Sequence, residues 1–263
     1  SAALPTATRQ CSAQVVSLEG FRILIDCGEG TQNQVRRYRI KFQAIDNIFI
    51  SHLHGDHFYG LPGLLSSMHL CGRTEPLNIF APKGLKKILT DLFITSNSVF
   101  SYELIFHELE GNEPSVLLEN KKCRITAFPL VHSVPAYGFH IQEMPQMLNL
   151  RHGVRHTYNL ANDEMIRIKM GEDYLAPDGR VIPNAVLTKP PKPPLSYAYC
   201  CDTRYDESLL KHISDVDLLC FDCTFEAALS SFANEKLHGT TISAATAARE
   251  AKAKHLMLTH FSA

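Results

Sequence analysis

An α/β fold is predicted from two observations. Short apolar strand-like runs alternate with helix-like windows from end to end, and 45% hydrophobic against 20% charged residues is ordinary globular composition for 263 residues. The clearest strands are 21–26, 48–51, 77–81, 124–128, 197–201, 218–222 and 255–259. Helical windows cover 31–39, 61–70, 84–92 and 242–254, the last rich in alanine, the best helix former. No internal repeat is found. One stretch breaks the alternation: 144–196 is more polar and ends in Lys189-Pro190-Pro191-Lys192-Pro193-Pro194, which should be extended and unable to join a central strand. It reads as an insertion, and Asp178-Gly179 inside it signals a hairpin turn.

Composition excludes several classes. No run of about 18 apolar residues exists to cross a bilayer, and Ser1-Ala2-Ala3-Leu4-Pro5 lacks the charged and apolar regions of a secretory signal, so a soluble protein is expected. The eight cysteines sit mostly in apolar runs, where reduced thiols act as small hydrophobes, and this suits a reducing cytoplasm. Cys220-Phe221-Asp222-Cys223 is a lone C-x-x-C without a partner pair. A net charge of −1 cannot hold a polyanion through the whole-protein field, so nucleic-acid contact must come from local patches. Arg36, Arg37, Arg39 and Lys41 form one; Arg151, His152, Arg155 and His156 form another. Each taken alone reads equally well as a solvated basic face.

Chemistry concentrates after the strand Ile48-Phe49-Ile50, in Ser51-His52-Leu53-His54-Gly55-Asp56-His57. Four ligand-type side chains within six residues at a strand end are poor core filler. Imidazole and carboxylate are the ligands zinc and its neighbours accept, and a strand-end loop lets adjacent side chains converge. One loop cannot complete a catalytic site, so isolated ligands should recur at other strand ends. His132, Asp202 and His260 do recur there, on the edge of an α/β sheet where sites assemble. Each of them alone could be a capped turn residue.

These residues resemble the metallo-β-lactamase superfamily: His-x-His-x-Asp-His, a later His, an Asp in a Cys201-Asp202-Thr203 step and a terminal His. Leu4-Pro5-Thr6, Leu24-Ile25-Asp26-Cys27-Gly28-Glu29-Gly30-Thr31-Gln32, His238-Gly239-Thr240-Thr241 and Thr259-His260-Phe261-Ser262-Ala263 narrow the resemblance to the ribonuclease Z family over nearly the whole chain. The resemblance implies an αβ/βα sandwich of two mixed sheets flanked by helices, with an inserted projecting arm. The catalytic core would be 1–143 and 197–263, and the arm with its Pro-rich loop 144–196. It implies a zinc-dependent endoribonuclease that removes the 3′ trailer from precursor tRNA and leaves a 3′-hydroxyl on the tRNA. Two Zn²⁺ per chain are implied, with Mn²⁺ the alternative: His52, His54 and His132 on one, Asp56, His57 and His260 on the other, Asp202 bridging. Asp56 would also accept the proton of the attacking water, and His238 would protonate the departing 3′-oxygen. The acidic residue that orients this histidine is usually Glu in a His-Glu-Ala-Thr step; Phe221-Asp222-Cys223-Thr224 stands here, with Asp222 one methylene shorter.

In the arm, Arg151 and Arg155 would position tRNA through phosphates without reading sequence, and Lys192 lies where a Pro/Lys loop near the cleavage site would fall. The usual Gly-Pro-rich arm sequence and the Arg-Asn ending of that loop are missing. Family members normally carry one more strand before Ser1 and continue past Ala263. A homodimer, a cytoplasmic location and no membrane association are also implied. Two rival readings are a small-molecule hydrolase of the same superfamily, acting on thioesters, lactones or phosphodiesters, and a catalytically silent metal-stabilised RNA-binding protein. Deleting 146–189 separates the first from the main reading; retention of every ligand position argues against the second.

Overall fold

The runs read as strands pair into two mixed sheets in a computed structural model that describes residues 2–18 and 20–262. Ser1 and Ala263, the ends of the expected core, lie outside the described residues, as does Glu19. The first sheet runs in the order β1 (Gln14–Leu18), β2 (Phe21–Ile25), β3 (Asn47–Phe49), β4 (Leu77–Pro82), β5 (Leu104–Leu109). Its strands are parallel except for the β1–β2 hairpin. In the second sheet, β6 (Ser115–Glu119), β7 (Cys123–Pro129) and β8 (Tyr137–Glu143) form an antiparallel meander. Beside β8 lies antiparallel β9 (Ser196–Cys200), followed by the parallel strands β10 (Leu218–Asp222) and β11 (His255–Thr259). Every strand expected from sequence is present within two residues of its expected ends; β1, β5, β6 and β8 were not foreseen.

Side-chain alternation explains the layering. Ile23, Ile25 and Phe49 point between the sheets, where they meet Ile125, Phe139, Ile141 and Tyr199. Leu24, Ile48 and Ile50, one residue out of phase, face the helix side and pack on α3 (Leu61–Leu70) and α4 (Leu85–Thr95). On the far side, Ala198, Cys200, Leu219 and Phe221 receive the alanine face of α6 (Thr241–Glu250) through Ala244 and Ala247. Strands buried on both faces are apolar without a break, which is why they were legible as runs. Helix α6 ends four residues before its expected limit, because Lys252 turns into the left-handed region at φ 55°.

Arg73, 2% exposed, was not foreseen as structural. Its guanidinium donates to the carbonyls of Ile45, Glu75 and Pro76 and to Asp46, tying the entry of β3 to that of β4. Arg73→Met should lower unfolding free energy by roughly 3–5 kcal/mol, since buried carbonyls lose their donors. A urea midpoint within error of the unmodified protein would refute that role.

The chain divides into two compact units, 1–143 with 196–263 and Met144–Leu195. Ser196 belongs to β9, where it pairs with Gln142 of β8. The second unit has its own apolar cluster of Val154, Leu160, Ile168, Tyr174, Ala176 and Leu187 around α5 (Asn162–Lys169). Tyr174–Leu175 and Val181–Ile182 pair antiparallel across the Asp178-Gly179 turn. Among the described residues no helix is long and apolar enough to cross a membrane.

Candidate metal centre

Three residues that follow strands of the core adopt left-handed backbone: Asp26 at φ 57° after β2, Asp202 at φ 60° after β9, and His260 at φ 63° after β11. That conformation costs a non-glycine residue about 1–2 kcal/mol, and it persists where surrounding structure over-determines it. The histidine-rich loop follows β3 and leads into the short helix α2 (Gly55–Phe58). It is laced to the residues after β2: Ser51 N donates to Asp26 Oδ1 at 2.7 Å, Cys27 N to the His57 carbonyl at 2.7 Å, and Gly60 N to the Cys27 carbonyl at 2.9 Å. A Cβ on Gly60 would collide with the Gly28 carbonyl, so the motif's glycines permit this close approach.

Two buried networks, on Asp26 and on Asp222, orient three of the imidazoles. His57 Nδ1 donates to Asp26 Oδ2 at 2.7 Å. Ser51 Oγ donates to the same oxygen at 2.9 Å and lies 3.0 Å from His52 Nδ1, whose proton it can accept. Tyr199, across the inter-sheet layer, adds its hydroxyl to Asp26 Oδ2 at 2.7 Å. Thr224 Oγ1 donates to Asp222 Oδ1 and accepts from His260 Nδ1 at 2.8 Å. With Nδ1 engaged, His52, His57 and His260 each turn Nε2 toward a common centre, as metal-ligating histidines do.

At that centre the atoms fall into two sets. His52 Nε2 and His132 Nε2 lie 3.1 and 3.2 Å from His54 Nδ1. Asp202 Oδ2 is 3.5 Å from His52 and 3.9 Å from His132. In the other set, His57 Nε2 is 3.4 Å from His260 Nε2, and Asp56 Oδ2 lies 3.5 and 3.2 Å from these two nitrogens. Asp202 Oδ1 is 3.2 Å from His57 and 3.1 Å from His260. Tetrahedral zinc with Zn–N of about 2.0–2.1 Å would separate neighbouring ligand atoms by about 3.3–3.4 Å. The contacts in both sets, 3.1 to 3.9 Å, lie near that spacing, so the residues present fit two cations, with one Asp202 oxygen turned toward each set. All seven candidate ligands are therefore brought together from four separate stretches of chain.

Charge agrees with this donor set. Burial, with His52 close by, lowers the pKa of His54, and burial pushes that of His132 down to about 4, which favours the neutral imidazole a metal requires. Burial would raise Asp56, but hydrogen bonds with His260 and His57 hold it well below the usual carboxylate range. Asp202 is likewise opposed by burial and held ionised by His57 and His260. Cys201, fully buried, keeps its proton and hydrogen-bonds Asp202 Oδ1 at 3.1 Å.

Beside the cluster, Asp222 accepts from His238 Nδ1 at 2.8 Å, and His238 stacks on His260 with ring centroids 5.4 Å apart. Asp222 also accepts from Thr203 N and Thr224 N, so its oxygens are fully engaged in protein contacts. Burial opposes a charge on His238, but the Asp222 carboxylate outweighs it and raises the pKa. Gly239 packs where a Cβ would strike the Asp222 carbonyl. In the second unit Arg151 and Arg155 are exposed, Arg155 on the turn of helix Val154–Thr157, and Lys192 is exposed in the proline run. Sequence reading missed the orienting residues Asp26, Ser51, Tyr199 and Thr224 as members of the site. It also missed the Ala3 main-chain N–H, which donates to Asp56 Oδ2 at 2.8 Å.

A two-sheet core with helices outside and a His/Asp cluster beyond its strand ends defines a metallo-β-lactamase-fold protein. The structure is similar to human tRNase Z, short form (TM-score 0.75, 29% identity, 99% of this chain and 90% of that one), and to the metallo-β-lactamase fold protein YhfI from Bacillus subtilis (TM-score 0.67, 18% identity, 100% and 83%). A family model described as anti-Pycsar protein Apyc1 matches residues 3–99. A Bacteroides fragilis ribonuclease Z is 42% identical over 99% of this chain and 86% of its own length. The chain belongs to the ribonuclease Z family.

Proposed function

We propose that this protein is an endoribonuclease that removes the 3′ trailer of precursor tRNA by hydrolysis, leaving a 3′-hydroxyl on the tRNA. The observation that carries the chemistry is Asp202, whose two oxygens face two separate histidine sets. His52, His54 and His132 would hold one ion, Asp56, His57 and His260 the other, and Asp202 both. A pair of divalent ions, when bound, supplies Lewis-acid neutralisation of charge gathering on the phosphoryl oxygens and acidifies water at the site. Asp56, held ionised, is the proton acceptor for the attacking water. His238, whose protonated form Asp222 favours, gives its proton to the departing 3′-oxygen from Nε2. The shorter Asp222 reaches His238 directly at 2.8 Å, which supports its reading as the orienting acid.

The all-nitrogen-and-oxygen donor set supports zinc. Arg151, Arg155 and Lys192 are read as phosphate contacts, and the second unit as the substrate-gripping arm. The free cysteines support a cytoplasmic setting. A homodimer is read from membership of the ribonuclease Z family alone.

Purified protein incubated with pre-tRNA should yield 3′ ends at the discriminator nucleotide, and a chelator should stop the reaction. Cleavage elsewhere, or undiminished in chelator, refutes the reading. Native mass spectrometry of the same sample, expected at two chains with two zinc ions each, checks metal and assembly together. Gly239→Ala should displace the His238 step from Asp222 and lower kcat about 10–100-fold, less than the roughly 10²–10⁴-fold of a proton-transfer group lost outright because His238 is shifted and not removed, with KM within about twofold. An unchanged single-turnover rate would remove His238 from the chemistry.

A further inference from the structure

His132 touches two neighbourhoods. Toward the proton donor, its ring centroid is 5.2 Å from that of His238. It also lines a cavity of about 290 Å³ bounded by Ser133, Val134, Pro135 and Tyr137, which His238 does not line. That cavity shares Val134, Pro135 and Tyr137 with a second of about 470 Å³, walled by Leu53 of the histidine-rich loop, Pro82 and Leu109. The two form one groove leading from the metal centre, and its outer part ends at Lys83, which is exposed and pairs with Glu110 at 3.0 Å. Apart from His132, none of the residues lining this groove is used by the chemistry above.

The polarity of the cleaved bond says what lies there. The tRNA departs on its 3′-oxygen, which takes a proton from His238, so the tRNA body lies on the His238 side. The trailer keeps the phosphate and must leave by another path. We propose that the groove past His132 and Leu53 holds the first nucleotides of the 3′ trailer, their bases against Val134, Pro135 and the Tyr137 edge, with a trailer phosphate at Lys83. This rests on the tRNA-processing reading. Trailers differ in sequence, and an apolar wall grips bases through their faces without reading their edges. Lys83 supplies a cation for the backbone by exchanging its exposed pair with Glu110, which is worth little in solvent, for a trailer phosphate. Tyr137 is held as a rigid floor by its hydroxyl, which donates to the Gly111 carbonyl at 3.2 Å.

Two precursors of one tRNA, with trailers of one and of six nucleotides, test the groove. Val134→Trp, which fills it, should lower kcat/KM for the six-nucleotide trailer at least about tenfold relative to the one-nucleotide trailer. Lys83→Ala, at an exposed position that cannot disturb folding, should lower the same ratio about threefold to fivefold, mostly through KM. A ratio equal to that of the unmodified protein in both variants overturns the groove while leaving the tRNA-processing reading intact. Failure of the unmodified protein to cleave either precursor overturns that reading and the groove with it.

Discussion

Replacing His54 with alanine is expected to lower pre-tRNA cleavage on the order of 10³-fold or more, about 4 kcal/mol of transition-state stabilisation. His54 is the nitrogen shared by the His52 and His132 contacts, so its loss opens the first ion's set while the Asp56, His57 and His260 set keeps its distances. Bound metal should therefore fall by about half, and the remaining ion should not rescue the rate. His54 is only half-buried, and the networks on Asp26 and Asp222 do not include it, so the fold should survive. The variant's melting temperature, metal content and cleavage rate are measured on one preparation. Cleavage at the original rate would sink the two-ion mechanism.

The second large effect concerns Met144–Leu195. Gln142 and Ser196 are cross-strand neighbours, so residues 143–195 can be replaced by Asn-Gly, a dipeptide suited to a two-residue hairpin turn. The core keeps its three apolar clusters, because the insertion carries a cluster of its own. Cleavage of pre-tRNA should drop about 10²–10³-fold in kcat/KM, roughly 3–4 kcal/mol of binding, while hydrolysis of a small chromogenic phosphodiester stays within about threefold. Equal loss on both substrates would make the insertion structural and favour a small-molecule hydrolase.

Legibility differed by element for physical reasons. Strands β2, β3, β4, β9 and β10 are buried on both faces and announce themselves as apolar runs. Strand β5, Leu-Ile-Phe-His-Glu-Leu, sits at a sheet edge with exposed His107 and Glu108, and β8 mixes Gly138, His140 and Gln142 into its run; neither pattern stands out from loop. The second unit reads as polar and proline-containing, yet Val154, Leu160, Ile168 and Leu187 suffice for a small core. Their spacing fits no single helix or strand, so no local pattern reveals it. Arg73 is charged, and only its position between three carbonyls explains its burial.

The sequence by itself determined the ligand chemistry and its placement after strands, because residue type and strand-end position are local properties. It also carried the family, through motifs spread along the chain. The resemblance implied the ligand grouping and the Asp222–His238 pair, but the distances that place Asp202 between two histidine sets and Asp222 against His238, and the reach of Tyr199 to Asp26 from 173 positions away, come from the tertiary structure alone. Those relations depend on how two sheets stack and how left-handed turns at Asp26, Asp202 and His260 aim their side chains, and no local run of residues encodes a distance across the sandwich.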